Sequence, residues 1–504
     1  MSIGKHYPIL TTEEAVAQIQ NGDTVSFSGF TPAGAAKAVP LALARRALEE
    51  HAKGKNFKVR VLTGASSGYS IDEELAKANA IAWRGPYHTG GALRKQINRQ
   101  EVEYVDMHLS HLPQAVAEGF LWKINTAVVE ATEITPDGRV YLTTSIGASP
   151  TYLKYAEKVI IEINKHQSPR LREMADIIVM PPPPHRYPIH IYEPMTRIGW
   201  PYAQVDPRKV IGIVENDEPD RLSAFTQPDE TGLKIAGHVT RFLLDEMKAG
   251  RIPQTFLPLQ AGVGNIANGI MSALGADPDV PPFMMYSEVF QDSLVDIMAA
   301  GKLLGASATS LTITSDKLQQ IVDNMDYFGS RIVLRPQEIS NHPGIIRRLG
   351  VISINTALEF DIYGNVNSSH LFGTDIMNGI GGSGDFARNC YLSIFTAPSV
   401  VKGGKLSTVV PMCTHIDHTE HSVQVVATEQ GLADLRGLGP VERAKLIIEK
   451  CAHPDYKPYL ERYVREARVG HIPHDLGSCF ELHRNFQEFG SMLTDSKNNL
   501  IERF

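Results

Sequence analysis

"DTVSFSGFTPAGAAKAVPLALARRALEE", residues 23–50, runs from an apolar stretch ending at Gly29, through a Pro- and Gly-containing loop, into an Ala- and Leu-rich helical pattern. "FKVRVLTGAS" (57–66) repeats the design with an apolar run, a small-residue loop and a helical stretch from about Ile71. Upstream, residues 11–20 predict a helix capped by Thr11 or Thr12, with Glu14 in place for a capping box and Ala15 and Ile19 on one face. "TAVVEATEI" (126–134), "KVIIEIN" (158–164) and "KVIGIV" (209–214) read as further strands. Strands alternating with helices predict an α/β architecture with largely parallel sheets. In such sheets ligands gather at the carboxyl ends of the strands.

An internal echo points to two halves. "ATEITPDGRVYLTTSIG" (131–147) and "ALEFDIYGNVNSSHLFG" (357–373) align without gaps, and Ala131/Ala357, Glu133/Glu359, Gly138/Gly364, Val140/Val366 and Gly147/Gly373 coincide. Each reads as strand, glycine turn, strand, so two α/β domains of related topology are expected. "MPPPPHRYP" (180–188) cannot be helical and is expected to run extended. The boundary is expected in the polar "ENDEPDRLSAFTQPDE" (215–230), giving domains 1–222 and 223–504.

Composition narrows the function. The 504 residues are 43% hydrophobic and 21% charged, as in soluble globular proteins, and the net charge is −7. No Lys/Arg-rich run tracks a phosphate backbone, which argues against nucleic acid as a partner. Cys390, Cys413, Cys451 and Cys479 are too widely spaced for a zinc site or a disulfide framework, which fits a reducing compartment. The N-terminal residues lack the apolar core of a signal peptide, and no window of about 18 apolar residues exists. A cytoplasmic protein without membrane spans is expected.

Five stretches can carry chemistry. In "QAGVGNIANGI" (260–270), Gly262 and Gly264 flank Val263 ahead of a helical pattern, so backbone N–H groups can meet a ligand. Ala267 holds the third position of a dinucleotide fingerprint, and a plain strand–helix turn explains the stretch equally well. In "MNGIGGSGDFAR" (377–388), Gly379, Gly381, Gly382 and Gly384 fall within six residues, a density that suggests amides exposed to an anion or a carbonyl oxygen. "PPFMMYSEVFQDSLVDIMAAG" (281–301) predicts a short strand and then a helix including Val289, with Glu288 near the junction. An acid there stabilises the first turn of a helix; it can also serve as nucleophile or base at the active edge of a parallel sheet. "VPMCTHIDHTEH" (410–421) holds His415, Asp417, His418 and His421 at spacings that resemble metal ligands, but a polar turn of hydrogen-bonded histidines fits better. "SNHPGIIRRLG" (340–350) places Asn341 before a turn and a helix; its amide can orient a substrate or simply shape the turn.

Taken together, "GVGNIAN", "YSEV", "SNHPGIIRRLG", "DIYGNVNSS", "NGIGGSGDFAR", "KGGKLSTVVPM", "HIDHTEH" and "VATEQGLADLRGLGPVERA" resemble, in order and spacing, the acetyl-CoA hydrolase/transferase family. "GDTVSFSGFTPAG", "LTGASSG", "ELAKAN" and "VVEATEIT" extend the resemblance over nearly the whole chain. It implies two open α/β CoA-transferase domains with the active site between them, and a homodimer. It implies CoA transfer between succinyl-CoA and acetate, with acyl-CoA hydrolysis and propionyl-CoA:succinate transfer as alternatives within the family. CoA and short-chain carboxylates would be substrates, with no resident cofactor or metal. By the same resemblance Glu288 is the nucleophile, the amides of Val263 and Gly382 stabilise the oxyanion, and Asn341 and Glu429 lie close to the nucleophile. Gly262, Gly264, Asn265 and Gly381 belong to the substrate-binding loops, Lys402 and Lys405 meet CoA, and Arg221 meets the distal carboxylate of succinate. His342 departs from the family pattern, which often has serine there.

Overall fold

The computed structural model describes residues 6–222 and 228–493. Segment 223–227, part of the 215–230 stretch in which the sequence places the domain boundary, lies outside the described residues. The chain forms two compact units: Met1–Ala224 with Phe283–Leu349 and Ile376–Asp385, and Phe225–Pro282 with Gly350–Asp375 and Phe386–Phe504.

The first unit is built on parallel strands, as the alternating pattern predicts. Strand Thr24–Phe27 lies between Val59–Leu62 and Thr126–Ile134, and both pairings are parallel. The parallel run continues through Ile81–Gly85 to Glu103–Tyr104 on one side, and through Lys158–Asn164 to Val210–Asn216 on the other. Antiparallel strands Arg139–Leu142 and Ala203–Gln204 extend off Thr126–Ile134. The N-terminal helix is Thr12–Ala17, with Thr11 as its cap and a complete capping box to Glu14. Helix Ala38–Ala52 buries Val39, Leu43 and Ala47 in the same core as Val25, Phe27 and Val61. The helical stretch after "LTGAS" opens with a wide turn at Tyr69–Glu73 and continues as the short helix Glu74–Lys77. A further parallel set in this unit joins Phe283–Tyr286, Leu303–Ala308 and Ile332–Leu334. Beside it the short strands Val289–Gln291 and Ser310–Thr312 pair in parallel.

In the second unit, Leu259–Ala261, Ile352–Thr356, Leu392–Thr396 and Val425–Thr428 are parallel neighbours, and Gly431–Asp434 turns back antiparallel. Helix Pro440–Cys451 packs Ala444, Ile447 and Ile448 into the core that holds Phe360, Phe395 and Val426.

The internal echo is a structural one. In the first copy Glu133 pairs with Tyr141 and Ile134 with Val140. In the second, Glu359 pairs with Asn367 and Phe360 with Val366, the same antiparallel pairs at the same offset. Both turns use a left-handed glycine at the matched position, Gly138 at φ 84° and Gly364 at φ 96°. Among the described residues, no helix is long and apolar enough to cross a membrane.

Candidate active site

Glu288 lies between two strands, in the break separating Phe283–Tyr286 from Val289–Gln291. The sequence expectation of Glu288 at a helix start, with Val289 inside the helix, is therefore corrected. The helix is Asp292–Ala299, its first-turn acid is Asp292, and Val289 is a strand residue. A three-residue run such as "VFQ" fits a strand or a helix turn equally, and pairing with Ser310–Thr312 decides it here. Glu288 thus occupies the carboxyl end of a parallel strand. Its backbone is pinned on both sides: Ser287 N–H donates to Ser307 O at 2.9 Å, and Thr309 N–H donates to Glu288 O at 2.7 Å. Under it, Val289 packs with Phe30, Ala65 and Leu109, and Tyr87 borders the cluster.

Asn341 is fully buried at the end of the short helix Gln337–Ser340, and its Nδ2 donates to Glu288 Oε1. That helix is fixed in turn. Gln337 N–H donates to Gly147 O at 3.0 Å, Gln337 Nε2 donates to Leu109 O at 2.8 Å, and the Tyr286 hydroxyl donates to Ile339 O. Upstream, Arg335 is fully buried; it pairs with Asp176 and donates to Ser307 Oγ at 2.8 Å and Pro194 O at 2.9 Å.

The glycine-rich loop completes the group. Gly382 lies so close to the carboxylate that a Cβ there would fall on Glu288 Oε1. Gly381, at φ 58°, takes a left-handed turn against the Tyr87 ring. Three side chains hold the loop. Asp106 accepts the Ile380 N–H at 2.8 Å, the Tyr104 hydroxyl donates to Asn378 O at 2.9 Å, and Asn98 Nδ2 donates to Ile376 O at 3.1 Å. Just beyond, the Asp385 carboxylate accepts from Ser110 Oγ at 2.6 Å, Ser110 N–H at 3.0 Å and Asn341 Nδ2 at 3.2 Å. Asp385, Ser110, Asp106 and Tyr104 were not singled out from the sequence. Only Asp385 left a trace there, as the acid three residues past Gly382.

The electrostatics of this group are unusual. Burial pushes the Glu288 carboxyl up to about 8; the Asn341 hydrogen bond opposes the shift and the negative charge of Asp385 adds to it. Burial likewise raises Asp385 to about 6, against its hydrogen bonds from Ser110 and Asn341. A carboxyl group raised by burial at a strand end, beside a second acid, is the arrangement that marks a candidate functional site.

Arg221 also belongs to the first unit. Its guanidinium lies over the Tyr69 ring, 4.5 Å from the centroid, and 3.9 Å from Glu218. It lines a cavity of about 310 Å³ with Pro32, Lys37, Arg45, Ser67 and Tyr69. The preceding Asp220 is tied down by Lys37 Nζ at 2.9 Å, the Gly34 N–H at 3.2 Å and the Thr144 hydroxyl.

The remaining candidates lie in the second unit. Gly262, Val263 and Gly264 form the turn between strand Leu259–Ala261 and helix Asn265–Ala276, and Val263 is 50% exposed. Glu429 accepts the Ser399 N–H at 2.7 Å, the Ser399 hydroxyl and Gln430 Nε2. Burial works to raise Glu429, but these bonds hold it below the usual glutamate value. Lys402 and Lys405 bracket Gly403 and Gly404 in an exposed hairpin loop between Val400–Val401 and Leu406–Ser407. In the histidine-rich stretch, Asp417 accepts the Ser368 N–H at 2.7 Å and the Ser369 hydroxyl at 2.7 Å, and His415 Nε2 lies 3.3 Å from it. His418 N–H donates to Val366 O at 3.1 Å, so the stretch is a hydrogen-bonded turn closing the second hairpin. Among the described residues, no three His, Cys, Asp or Glu side chains are grouped to hold a metal. His342, the departure from the family pattern, accepts the Gly344 N–H at 3.1 Å through Nδ1 and shapes the entry to helix Pro343–Leu349.

Residues 4–215 match the acetyl-CoA hydrolase/transferase N-terminal domain, and residues 318–464 match the C-terminal domain. The chain belongs to the acetyl-CoA hydrolase/transferase family. It is 56% identical to the propanoyl-CoA:succinate CoA transferase of Escherichia coli, over 96% of this chain and 98% of that protein. It is 45% identical to the succinyl-CoA:acetate CoA-transferase of Clostridium kluyveri, over 96% and 90% of the two chains. It is also 44% identical to an acetyl-CoA hydrolase of Schizosaccharomyces pombe, over 95% of each. Among solved structures, RipA from Yersinia pestis shares the fold, with a TM-score of 0.71, 23% identity and coverage of 92% of this chain and 99% of that one. The family's members act on CoA thioesters, and this chain is an enzyme of the CoA-transferase/hydrolase family.

Proposed function

We propose that the chain transfers CoA between succinate and a short-chain monocarboxylate, acetate or propionate, with Glu288 as the nucleophile. The observation that carries the reading is the Glu288 carboxylate, raised and partly desolvated at a strand end, lying where Gly382 leaves room for it. Succinate or its thioester is the substrate common to the names of the two bacterial relatives, and hence the common substrate proposed here.

A carboxylate suits this chemistry. Glu288 attacks the acyl-CoA carbonyl and expels CoA thiolate, leaving an acyl–glutamyl anhydride. The thiolate attacks the glutamyl carbonyl, releases the free acid and forms a glutamyl–CoA thioester. The second acid then reverses the sequence, and the CoA bond energy is conserved throughout. A serine would yield an ester too stable to return CoA. Each tetrahedral step gathers negative charge on oxygen. The Gly382 amide, beside the carboxylate, and the Val263 amide serve as donors in this reading; one such donor is typically worth about 3–4 kcal/mol. Asn341 orients the carboxylate, and Glu429 keeps in this reading the role beside the nucleophile that the resemblance implies. Gly262, Gly264 and Asn265 let the backbone approach the thioester, and Lys402 and Lys405 meet the phosphates of CoA. Arg221 pairs with the distal carboxylate of succinate. CoA enters as a substrate, so no resident cofactor is required, and the working form proposed is a cytoplasmic homodimer.

Acetate and propionate differ by one methylene, worth about 1–3 kcal/mol of discrimination. The 56% identical relative favours propionate; the family resemblance read from the motifs favours acetate. The test is an acceptor panel with succinyl-CoA, scoring acetate, propionate, butyrate and water in parallel, with borohydride trapping of the thioester on Glu288. Fast transfer to one of the two shorter acids and slow loss to water supports the reading. Equal CoA release with and without acceptor acid replaces it with hydrolysis.

A further inference from the structure

Resting on Glu288 as nucleophile, one buried group beside it has no part in the reaction as written. Asp385 is 3% exposed and fully within hydrogen-bonding reach of two partners. One oxygen accepts from Ser110 Oγ at 2.6 Å; the other accepts the Ser110 N–H at 3.0 Å and Asn341 Nδ2 at 3.2 Å. The same Nδ2 donates to Glu288 Oε1, and Asn341 Oδ1 accepts from Ser340 Oγ at 2.8 Å. An amide nitrogen carries two hydrogens, and here each has a carboxylate as acceptor. With both carboxyl groups ionised, as the nucleophilic form of Glu288 requires, both neighbours of Nδ2 can only accept and the neighbour of Oδ1 can donate, so this orientation of the amide is the one the network allows.

We propose that Asp385 is a positioning residue for the transfer reaction: it locks the Asn341 amide onto Glu288 and sets a second negative charge beside the nucleophile. A carboxylate is suited to both tasks. It accepts three donors over its two oxygens, whereas an amide in its place has one acceptor oxygen and sets its NH2 against a donor. Its charge opposes that of Glu288 in the ionised, nucleophilic form of the resting enzyme. The opposition ends when Glu288 is acylated, because the glutamyl group becomes neutral and the negative charge leaves on the CoA thiolate. The resting carboxylate is thereby raised in energy relative to both the anhydride and the thioester, which favours attack and populates the covalent forms. The other titratable groups facing the pair are Tyr87, whose hydroxyl is raised by burial and by Glu288, His111, whose charge lowers Asp385, and His108, packed against Gly384.

The test is Asp385→Asn in the full-length enzyme, compared with wild type by pH profile of kcat/KM and by mass spectrometry of enzyme equilibrated with succinyl-CoA and succinate. The alkaline-rising limb is expected to move down by about one pH unit, kcat to fall at least about 10-fold, and the glutamyl–CoA fraction to drop. Ser110→Ala removes one anchor and keeps the charge. Its kcat is expected to fall with the limb in place, and it decides the positioning role if the Asp385 variant does not fold. An unmoved limb with kcat within about twofold in Asp385→Asn, or an unchanged kcat in Ser110→Ala where that variant must decide, overturns the proposal. Normal transfer by Glu288→Ala would instead sink the nucleophile reading itself, so the two failures are distinguishable.

Discussion

The carboxylate of Glu288 occupies the space that any side chain at Gly382 would need. Gly382 is not in a left-handed conformation, so its lack of a side chain answers to that carboxylate rather than to the backbone. Gly382→Ala is therefore expected to leave the fold in place and displace Glu288. Transfer should fall by about 100-fold or more, on the scale of losing an oriented catalytic group, while circular dichroism stays that of wild type. Retention of most activity would separate Gly382 from the nucleophile.

The ionisation of Glu288 couples activity to stability. Its folded carboxyl stands at about 8, against about 4.3 for an unfolded glutamate, so between these values the native state holds a proton the unfolded chain has lost. Stability from this site is thus fully present below about pH 4 and is lost as pH rises toward 8. Glu288→Gln cannot ionise, and should melt higher than wild type at pH 8.5 by a few degrees, with a smaller gap at pH 5.5. Scanning calorimetry at the two pH values checks the sign; a gap that widens toward acid contradicts it.

How much of this was legible in the sequence varies by element. The strand–loop–helix alternation at residues 23–66 and the repeated strand–glycine–strand pattern could be read because each is local; the pairs Ile134–Val140 and Phe360–Val366 come from the structure. Glu288 was visible as an oddly placed acid, yet its local setting was misread. "VFQ" is too short to show a period, and only the strand at Ser310–Thr312 makes it a strand. The Glu288–Asn341–Asp385 group could not be read by pattern. Its members are 53 and 44 residues apart, and Ser110, which anchors it, is 275 residues from Asp385. Such contacts exist only once the sheets have formed.

A buried charge cluster underlies the Arg221 segment. Lys37 Nζ lies 2.5 Å from Glu130 and 2.9 Å from Asp220, with all three side chains nearly out of solvent. Glu130 is raised to about 7, chiefly by burial, and Lys37 is the cation that opposes the shift. Lys37→Met leaves two acids facing each other without it. A loss of about 3–5 kcal/mol is expected, read as a lower urea midpoint. A change within 1 kcal/mol, about the size of a surface pair, would show the cluster to be well solvated.

Arg221 separates dicarboxylate from monocarboxylate substrates if its guanidinium meets the far end of succinate. It is half exposed, stacked on Tyr69 and only loosely paired with Glu218, so its charge is available at the cavity. Arg221→Ala is expected to raise KM for succinate by about 10- to 100-fold, the range of a charge-assisted pair, and to leave KM for acetate or propionate within about twofold. Arg221→Lys keeps the charge but loses the planar two-point contact and the stacking on Tyr69, so it should fall between the two. Steady-state kinetics in both directions of transfer supply the comparison. An equal rise for mono- and dicarboxylate would mean that Arg221 shapes the loop and does not read the substrate.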